Sequence, residues 1–173
     1  MKTKLERIAE ISKARPKEEF NNIVHLINPE ILKMCHKELD GNKAVGIDEV
    51  TKKEYEENLE ENIENLWKKL KSFSYRPQAI KRVYIPKAGG DKLRPLGIST
   101  YEDKIVQLAM SKILTAIYEP QFMEFSYGFR GKRGCHQALA SITYILENKV
   151  IRYVVDADIK GFFDNVSHEW IIK

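Results

Sequence analysis

The sequence predicts an α+β fold, with helices first, a β-hairpin near the middle and mixed structure after it. Three observations support this class: apolar residues at helical spacing before residue 72, alternating polarity from residue 79, and helical spacing again after residue 100. The chain has 173 residues, 43% hydrophobic and 31% charged, which is typical of a globular protein. No stretch approaches the roughly 18 apolar residues that a membrane helix needs, and the start does not resemble a signal peptide. We therefore expect a cytoplasmic protein with no membrane partner.

The first part of the chain predicts helices separated by a turn-rich connector. Apolar residues within 3–39 indicate short helices broken at Pro16 and Pro29. Two glycines in the connector 40–48 suit tight reversals of the backbone. One helix is then predicted over 51–71, with acidic residues in its first half and lysines in its last turn, as the helix dipole favours.

The middle of the chain predicts a β-hairpin and the remainder predicts helices around one strand. The hairpin strands are 79–85 and 93–98, joined by a flexible basic tip. Ser99 or Thr100 caps the next helix. Four further elements follow: this helix to about residue 118, a helix over 135–147, a strand over 152–159 and a helix that begins after Ser167.

Positive charge is concentrated in residues 76–135, which hold 11 Lys and Arg against 5 Asp and Glu. Within this block Lys87 and Arg94 flank the hairpin tip, where both could meet phosphate oxygens. The loop 126–134 alternates two aromatic residues with three cations, as surfaces that hold single-stranded nucleic acid often do. A solvated basic hairpin and an aromatic loop anchored on the core are the alternative interpretations.

Two aspartates close together at the end of the strand 152–159 suggest metal chemistry. Asp156 and Asp158 would point the same way in a strand, and two adjacent carboxylates need a cation or water between them. Nucleotidyl transferases use such carboxylates to hold Mg²⁺. Phe162 and Phe163 follow closely enough to wall a nucleotide sugar. Capping or solvation of the aspartates is the alternative.

Four segments, in this order, resemble those of group II intron-encoded reverse transcriptases, also called maturases. They are 42–48 (NKAVGID), similar to the N-terminal extension motif; YRP, VYIPK and LRPLGI within 75–98, similar to the first fingers block; 126–130 (SYGFR), similar to the second; and 153–168 (YVVDADIKGFFDNVSH), similar to the palm block with the first catalytic aspartate. The resemblance covers about residues 40–170. It implies a right-hand polymerase fold with a helical extension at 1–72, fingers at 73–150 and the start of a truncated palm at 151–173.

The same resemblance implies a role for individual residues. Asp158 would be the catalytic, metal-binding carboxylate, with Asp156 and the carbonyl of Ile159 beside it and Mg²⁺ as cofactor. Phe163 would clash with a ribose 2′-hydroxyl and so favour a dNTP over a ribonucleotide. The triphosphate would meet Lys87 and Arg94. An RNA template, expected to be intron RNA, and a DNA or RNA primer would lie along Arg82, Tyr127, Arg130, Lys132 and Arg133.

The sequence departs from the family pattern in two places. Gly131 stands where a proline is usual, which loosens the loop. No Tyr-x-Asp-Asp segment is present, although the family takes its second metal-binding pair from one. Because two-metal catalysis needs carboxylates from both places, we expect no polymerisation by this chain alone. Two other interpretations remain open: an RNA-binding module that assists splicing without DNA synthesis, and a decayed reading frame.

Overall fold

The computed structural model describes residues 3–86 and 93–172. The chain divides into two compact units, unit 1 (Met1–Met123) and unit 2 (Glu124–Lys173). The elements are α1 (Lys4–Ala14), α2 (Pro29–Glu38), α3 (Lys52–Glu57), α4 (Leu59–Lys71), β1 (Lys81–Pro86), β2 (Leu93–Ile98), α5 (Tyr101–Tyr118), α6 (Cys135–Asn148) and α7 (His168–Ile172). This mixture of helices and an antiparallel strand pair agrees with the predicted α+β class. The division by packing does not test the boundaries proposed after residues 72 and 150, which stay predictions.

The helices of unit 1 begin where the sequence places capping residues. At Thr3 and Thr51 the hydroxyl accepts a hydrogen bond from the backbone N–H of a glutamate three residues later, and that glutamate accepts from the threonine N–H. Pro29, predicted to break a helix, is instead the first residue of α2, behind the cap Asn28. Proline is tolerated there because its missing N–H would have no partner inside the helix.

The single helix predicted over 51–71 is wrong, since α3 and α4 are separate helices. They meet at Asn58, whose φ of −122° and ψ of 39° lie outside the helical region. The side-chain Nδ2 of Asn62 donates to the Tyr55 carbonyl at 3.0 Å, which satisfies a carbonyl that the break leaves free. Tyr55, before the break, and Ile63, after it, are both buried.

The core of unit 1 is built around α5, against which α1 and α2 pack, while α4 packs on α2. Several side chains in this core have no exposed surface, namely Leu32, Cys35, Ile63, Leu66, Ile105 and Ala109. Burying a Leu or Ile contributes about 1.5–3 kcal/mol. The Ser12 hydroxyl on α1 donates to the Ile117 carbonyl at 2.5 Å. Together these contacts hold α5 in place, and α5 in turn positions segments 42–48 and 75–78 of unit 1.

A polar cluster of three aromatic rings lies inside this core. The rings of His36, Tyr55 and Tyr101 have centroids 5.1–6.1 Å apart. The Tyr101 hydroxyl and His36 Nδ1 are 2.9 Å apart, and His36 Nε2 lies 3.8 Å from a Glu56 carboxylate oxygen. Burial lowers the pKa of His36 and raises that of Tyr101 to about 12. The cluster therefore holds a neutral imidazole inside unit 1 at neutral pH.

The predicted β-hairpin is confirmed. β1 and β2 pair antiparallel with Lys81 opposite Ile98 and Arg82 opposite Gly97. The tip 87–92, which includes the candidate residue Lys87, lies outside the described residues. None of the helices in the described ranges combines the length and apolarity required to cross a membrane.

The strand predicted over 152–159 is wrong. Residues 151–159 pair with no strand in the described part of unit 2, and their side chains are exposed, Tyr153 at 87% and Val155 at 88%. A β-strand needs a neighbouring strand to form its backbone hydrogen bonds. An alternation of apolar and polar residues in the sequence does not supply that second strand. The side chains of Asp156 and Asp158 are also exposed, so water reaches both carboxylates.

Candidate nucleotide and nucleic-acid site

A buried carboxylate fixes the segment that leads into the hairpin. Asp103, in the first turn of α5, is 5% exposed. Its carboxylate accepts hydrogen bonds from the Tyr75 hydroxyl, from the Thr100 hydroxyl at 2.7 Å and from the backbone N–H of Gln78 at 3.2 Å. Burial, together with the hydrogen bond to Asp103, raises the pKa of Tyr75, so its hydroxyl remains a donor. Segment 75–78 is thereby tied to α5 just before β1 begins.

The connector 42–48 lies against the same end of α5. A Cβ added to Gly46 would stand 2.6 Å from the Thr100 Cα and 2.8 Å from the Ser99 carbonyl oxygen, so only glycine fits. The Lys104 ammonium donates to the Ala44 carbonyl from the first turn of α5. The motif 42–48 thus lies against the start of α5, the helix into which the motif 93–98 leads.

The two hairpin arginines lie on opposite faces of the hairpin. Arg82 is opposite Gly97, whereas Arg94 is opposite Ile85. Because side chains alternate along a strand, Arg94 shares its face with Lys81 and not with Arg82. Both arginines are exposed. This arrangement is compatible with the different ligands expected from the sequence, a triphosphate at Arg94 and nucleic acid at Arg82.

The basic loop of unit 2 uses most of its predicted binding residues to hold its own shape. The Tyr127 hydroxyl is 2.5 Å from the Ser141 hydroxyl, and the Arg133 guanidinium lies 5.8 Å from the Tyr127 ring centroid. Arg133 also donates to the Glu124 carbonyl, and Arg130 donates to the Ser126 carbonyl at 2.7 Å. Lys132, by contrast, is exposed, and its φ is 61°.

The loop presents one aromatic residue that the sequence did not single out as a binding residue. Phe129 is fully exposed and has a φ of 56°. Non-glycine residues rarely adopt this left-handed region, and bulky ones do so at a cost. The signal in the sequence was its place between Gly128 and Arg130 in a loop that combines aromatic residues with cations. Phe129 and Lys132 therefore form the exposed aromatic and cationic pair of this loop.

The candidate catalytic segment is an exposed turn. Asp156, Asp158 and Ile159 precede Gly161, whose φ of 61° begins a tight turn. The Asn165 side chain donates to the Gly161 carbonyl at 2.8 Å and closes that turn. The turn places the rings of Phe162 and Phe163 edge to face, with their centroids 5.3 Å apart.

The donor groups of this segment suit a hard cation without completing a site for one. Two carboxylates and a backbone carbonyl are oxygen ligands of the kind that Mg²⁺ prefers. Among residues 3–86 and 93–172, however, no three His, Cys, Asp or Glu side chains come together as a metal-holding group. Binding of Mg²⁺ at Asp156, Asp158 and Ile159 therefore stays a prediction from the sequence.

Comparison with known proteins adds to this geometry. Residues 85–173 match the family described as reverse transcriptase (RNA-dependent DNA polymerase). The chain is 38% identical over 169 residues to group II intron-encoded protein LtrA of Lactococcus lactis subsp. cremoris, covering 97% of this chain and 28% of that protein. It is 38% identical over 136 residues to Protein YkfC of Escherichia coli (strain K12), covering 77% of this chain and 35% of that protein.

A third relative is also encoded in an intron. The chain is 40% identical over 110 residues to a 91 kDa protein in the cob intron of Schizosaccharomyces pombe, covering 64% of this chain and 13% of that protein. The chain thus spans between 13% and 35% of the length of these three relatives. The family match includes β2, the basic loop and the segment with Asp158. The chain belongs to the reverse transcriptase (RNA-dependent DNA polymerase) family and is similar to group II intron-encoded proteins over nearly its whole length.

Proposed function

We propose that this chain supplies the N-terminal extension, the fingers and the start of the palm of a group II intron-type reverse transcriptase. The observation that carries the proposal is the family match over 85–173, which contains the Arg94, Arg130 and Asp158 segments in one continuous stretch. The 38% identity to the Lactococcus protein extends the similarity to the N-terminal helices. The proposed divisions are those expected from the sequence, at 1–72, 73–150 and 151–173.

The proposed reaction joins a primer to a deoxynucleotide. The primer 3′-hydroxyl attacks the α-phosphorus of a dNTP, a new phosphodiester bond forms and pyrophosphate leaves. Mg²⁺, when bound at Asp158 with Asp156 and the Ile159 carbonyl, supplies positive charge that stabilises the attacking and leaving oxygens. Lys87 and Arg94 bind the triphosphate, and Phe163 disfavours a ribose 2′-hydroxyl.

The proposed template and primer contacts come from the hairpin and the basic loop. Arg82 is exposed on β1, and Lys132 and Phe129 are exposed on the loop. Arg130, Arg133 and Tyr127 are hydrogen-bonded inside the loop and so contribute charge and shape from fixed positions. Within the loop, a phosphate backbone can contact Lys132 while an unstacked base lies on the exposed ring of Phe129.

A chimera tests the proposed polymerase function. The chain would replace the matching 169 residues of the Lactococcus protein, and extension of a DNA primer on an RNA template would be measured with dNTPs and Mg²⁺. We expect extension by the chimera, its loss on Asp158→Ala, and little change on Asp164→Asn, an exposed carboxylate in the same segment. Extension that survives Asp158→Ala would overturn the assignment of Asp158.

A second candidate function is RNA binding without DNA synthesis, as in a module that assists splicing. The exposed Phe129 and Lys132 favour it, since neither needs the catalytic segment to act. Binding of intron-derived RNA by the chain alone would then fall with salt, survive Asp158→Ala and weaken on Phe129→Gly with Lys132→Gln. Equal RNA affinity of that double variant and the unaltered chain would count against this candidate.

A further inference from the structure

Positive charge also collects at the C-terminal end of α4, away from any residue assigned above. Between residues 65 and 76 the sequence has four Lys or Arg and no Asp or Glu. An open groove at this end of α4 is lined by Trp67, Lys68, Lys69, Lys71, Ser72 and Ser74. A cationic groove with an aromatic wall is the kind of surface that attracts a nucleic-acid backbone.

The lysines of the groove are not needed to complete the helix end. The Ser72 hydroxyl donates to the Lys68 carbonyl at 2.8 Å, and the Ser74 N–H donates to the Lys69 carbonyl at 3.0 Å. The carbonyls of Lys68 and Lys69 therefore already have partners. The dipole of α4 favours lysines in this turn, but within the described ranges their ammonium groups donate no hydrogen bond to a helix carbonyl, which leaves those groups open to a ligand.

The charges of Lys68 and Lys71 are also available to a ligand. Lys68 forms an exposed ion pair with Glu64 at 3.6 Å. Exposed ion pairs are weak, so a phosphate can replace the glutamate carboxylate at Lys68. The Lys71 ammonium lies 4.8 Å from the centre of the Trp67 ring, and no carboxylate in the described ranges forms an ion pair with it. Trp67 thereby orients the Lys71 charge without neutralising it.

Phe73 lies in the turn that follows α4, and its conformation is costly for the fold. Its φ is 56° and its side chain is 73% exposed. Glycine usually occupies this position after a helix, because a side chain is strained there. The Arg76 guanidinium donates to the carbonyls of Phe73 at 3.0 Å and Tyr75 at 2.8 Å, which holds the turn. A strained, exposed ring on a fixed turn adds little to the core and is suited to contact a ligand.

We propose that Trp67, Lys68, Lys71 and Phe73, here named the α4 patch, bind single-stranded RNA. Phosphates contact Lys68 and Lys71, and an unpaired base stacks on Phe73. The choice of RNA as the ligand rests on the proposed function, whereas the need for an unpaired strand follows from the exposed ring. An anionic membrane is disfavoured because Phe73 is a single exposed aromatic residue among serines and cations.

Fluorescence anisotropy with a 5′-labelled 12-nucleotide single-stranded RNA tests the α4 patch in the full chain. Lys68→Gln with Lys71→Gln should lower the slope of log affinity against log salt by about 1.4, since each phosphate contact on a single strand contributes about 0.7. Phe73→Gly should weaken binding about tenfold through the lost stack. Its thermal midpoint should not fall, because glycine relieves the strain at φ 56°, so the loss cannot come from unfolding.

A matched control variant, a duplex RNA and an anionic lipid vesicle separate the possible outcomes. Lys13→Gln with Lys17→Gln removes the same charge from exposed positions of unit 1 and should leave the salt slope unchanged. Unchanged affinity and slope in both α4 variants would overturn the proposal, as would binding of the duplex form of the same RNA equal to that of the single strand. Binding of the same variants to vesicles of phosphatidylserine is measured in parallel. Variants that lose vesicle binding but keep their RNA affinity would also overturn the proposal. The primer-extension assay of the chimera tests the proposed polymerase function independently of RNA binding by the α4 patch.

Discussion

Removal of the Asp103 carboxylate should loosen the attachment of segment 75–78, which leads into the hairpin, to the start of α5. Asp103→Ala leaves three donors without their acceptor: the Tyr75 hydroxyl, the Thr100 hydroxyl and the Gln78 N–H. Hydrogen bonds to a charged group contribute roughly 1.5–3 kcal/mol each and are not additive. Tyr75→Phe removes one of them and should cost about 2 kcal/mol, and Asp103→Ala should cost about 3–5 kcal/mol.

Urea unfolding followed by circular dichroism measures these costs, and a double-mutant cycle isolates the pair. The combined Tyr75→Phe and Asp103→Ala variant should be less destabilised than the sum of the single variants, since the two side chains share one hydrogen bond. Hydrogen exchange of the Gln78 amide should accelerate in Asp103→Ala because its acceptor is gone. A cost below about 1 kcal/mol for Asp103→Ala, with unchanged exchange at Gln78, would refute the anchoring role.

Three further perturbations follow from the packing. Gly46→Ala should destabilise unit 1 by about 2 kcal/mol or more, because its Cβ would meet backbone atoms of Ser99 and Thr100. Gly131→Ala is the matched control, since a Cβ at Gly131 would have no atom within 4 Å. Equal urea midpoints for the two variants would contradict this reasoning. The lowered pKa of His36 means that the unfolded chain binds the proton more readily, so stability should be full above the ordinary histidine pKa of 6.5 and fall as the pH drops below it. Thermal midpoints at pH 7.5 and 5.5 measure this, and His36→Gln should flatten the difference; an unchanged slope in that variant would assign the effect elsewhere. Phe129→Gly should raise the midpoint of unit 2 unfolding by relieving the strain at φ 56°, while weakening RNA binding; a lowered midpoint would show that the ring stabilises the loop.

Local patterns in the sequence were sufficient where neighbouring residues decide the structure. The predicted Thr100 cap of α5, the apolar spacing of α5 and α6, and the alternating hairpin strands all act within a few positions along the chain. The family resemblance could also be read from the sequence, because four short motifs keep their order, and the comparisons confirm it.

The same local patterns failed where distant contacts decide. The break at Asn58 depends on how α3 and α4 meet the core, and the pattern over 152–159 forms no strand without a neighbour to pair with. The residues predicted to bind nucleotide and metal, including Lys87, Arg94, Asp158 and Phe163, remain predictions that the structure does not test.

Sequence alone determined the class of this protein, since the order of short motifs and the periodicity of apolar residues are properties of the chain itself. Only the tertiary structure decided which side chains are buried or bound to other groups of the protein and which are exposed to solvent. It buried Asp103 against segment 75–78, engaged Arg133 within its own loop and left Phe73 and Phe129 exposed in strained conformations. The physical reason is that burial, and the pairing of a charge or a ring, depend on groups that approach through space from distant positions in the chain.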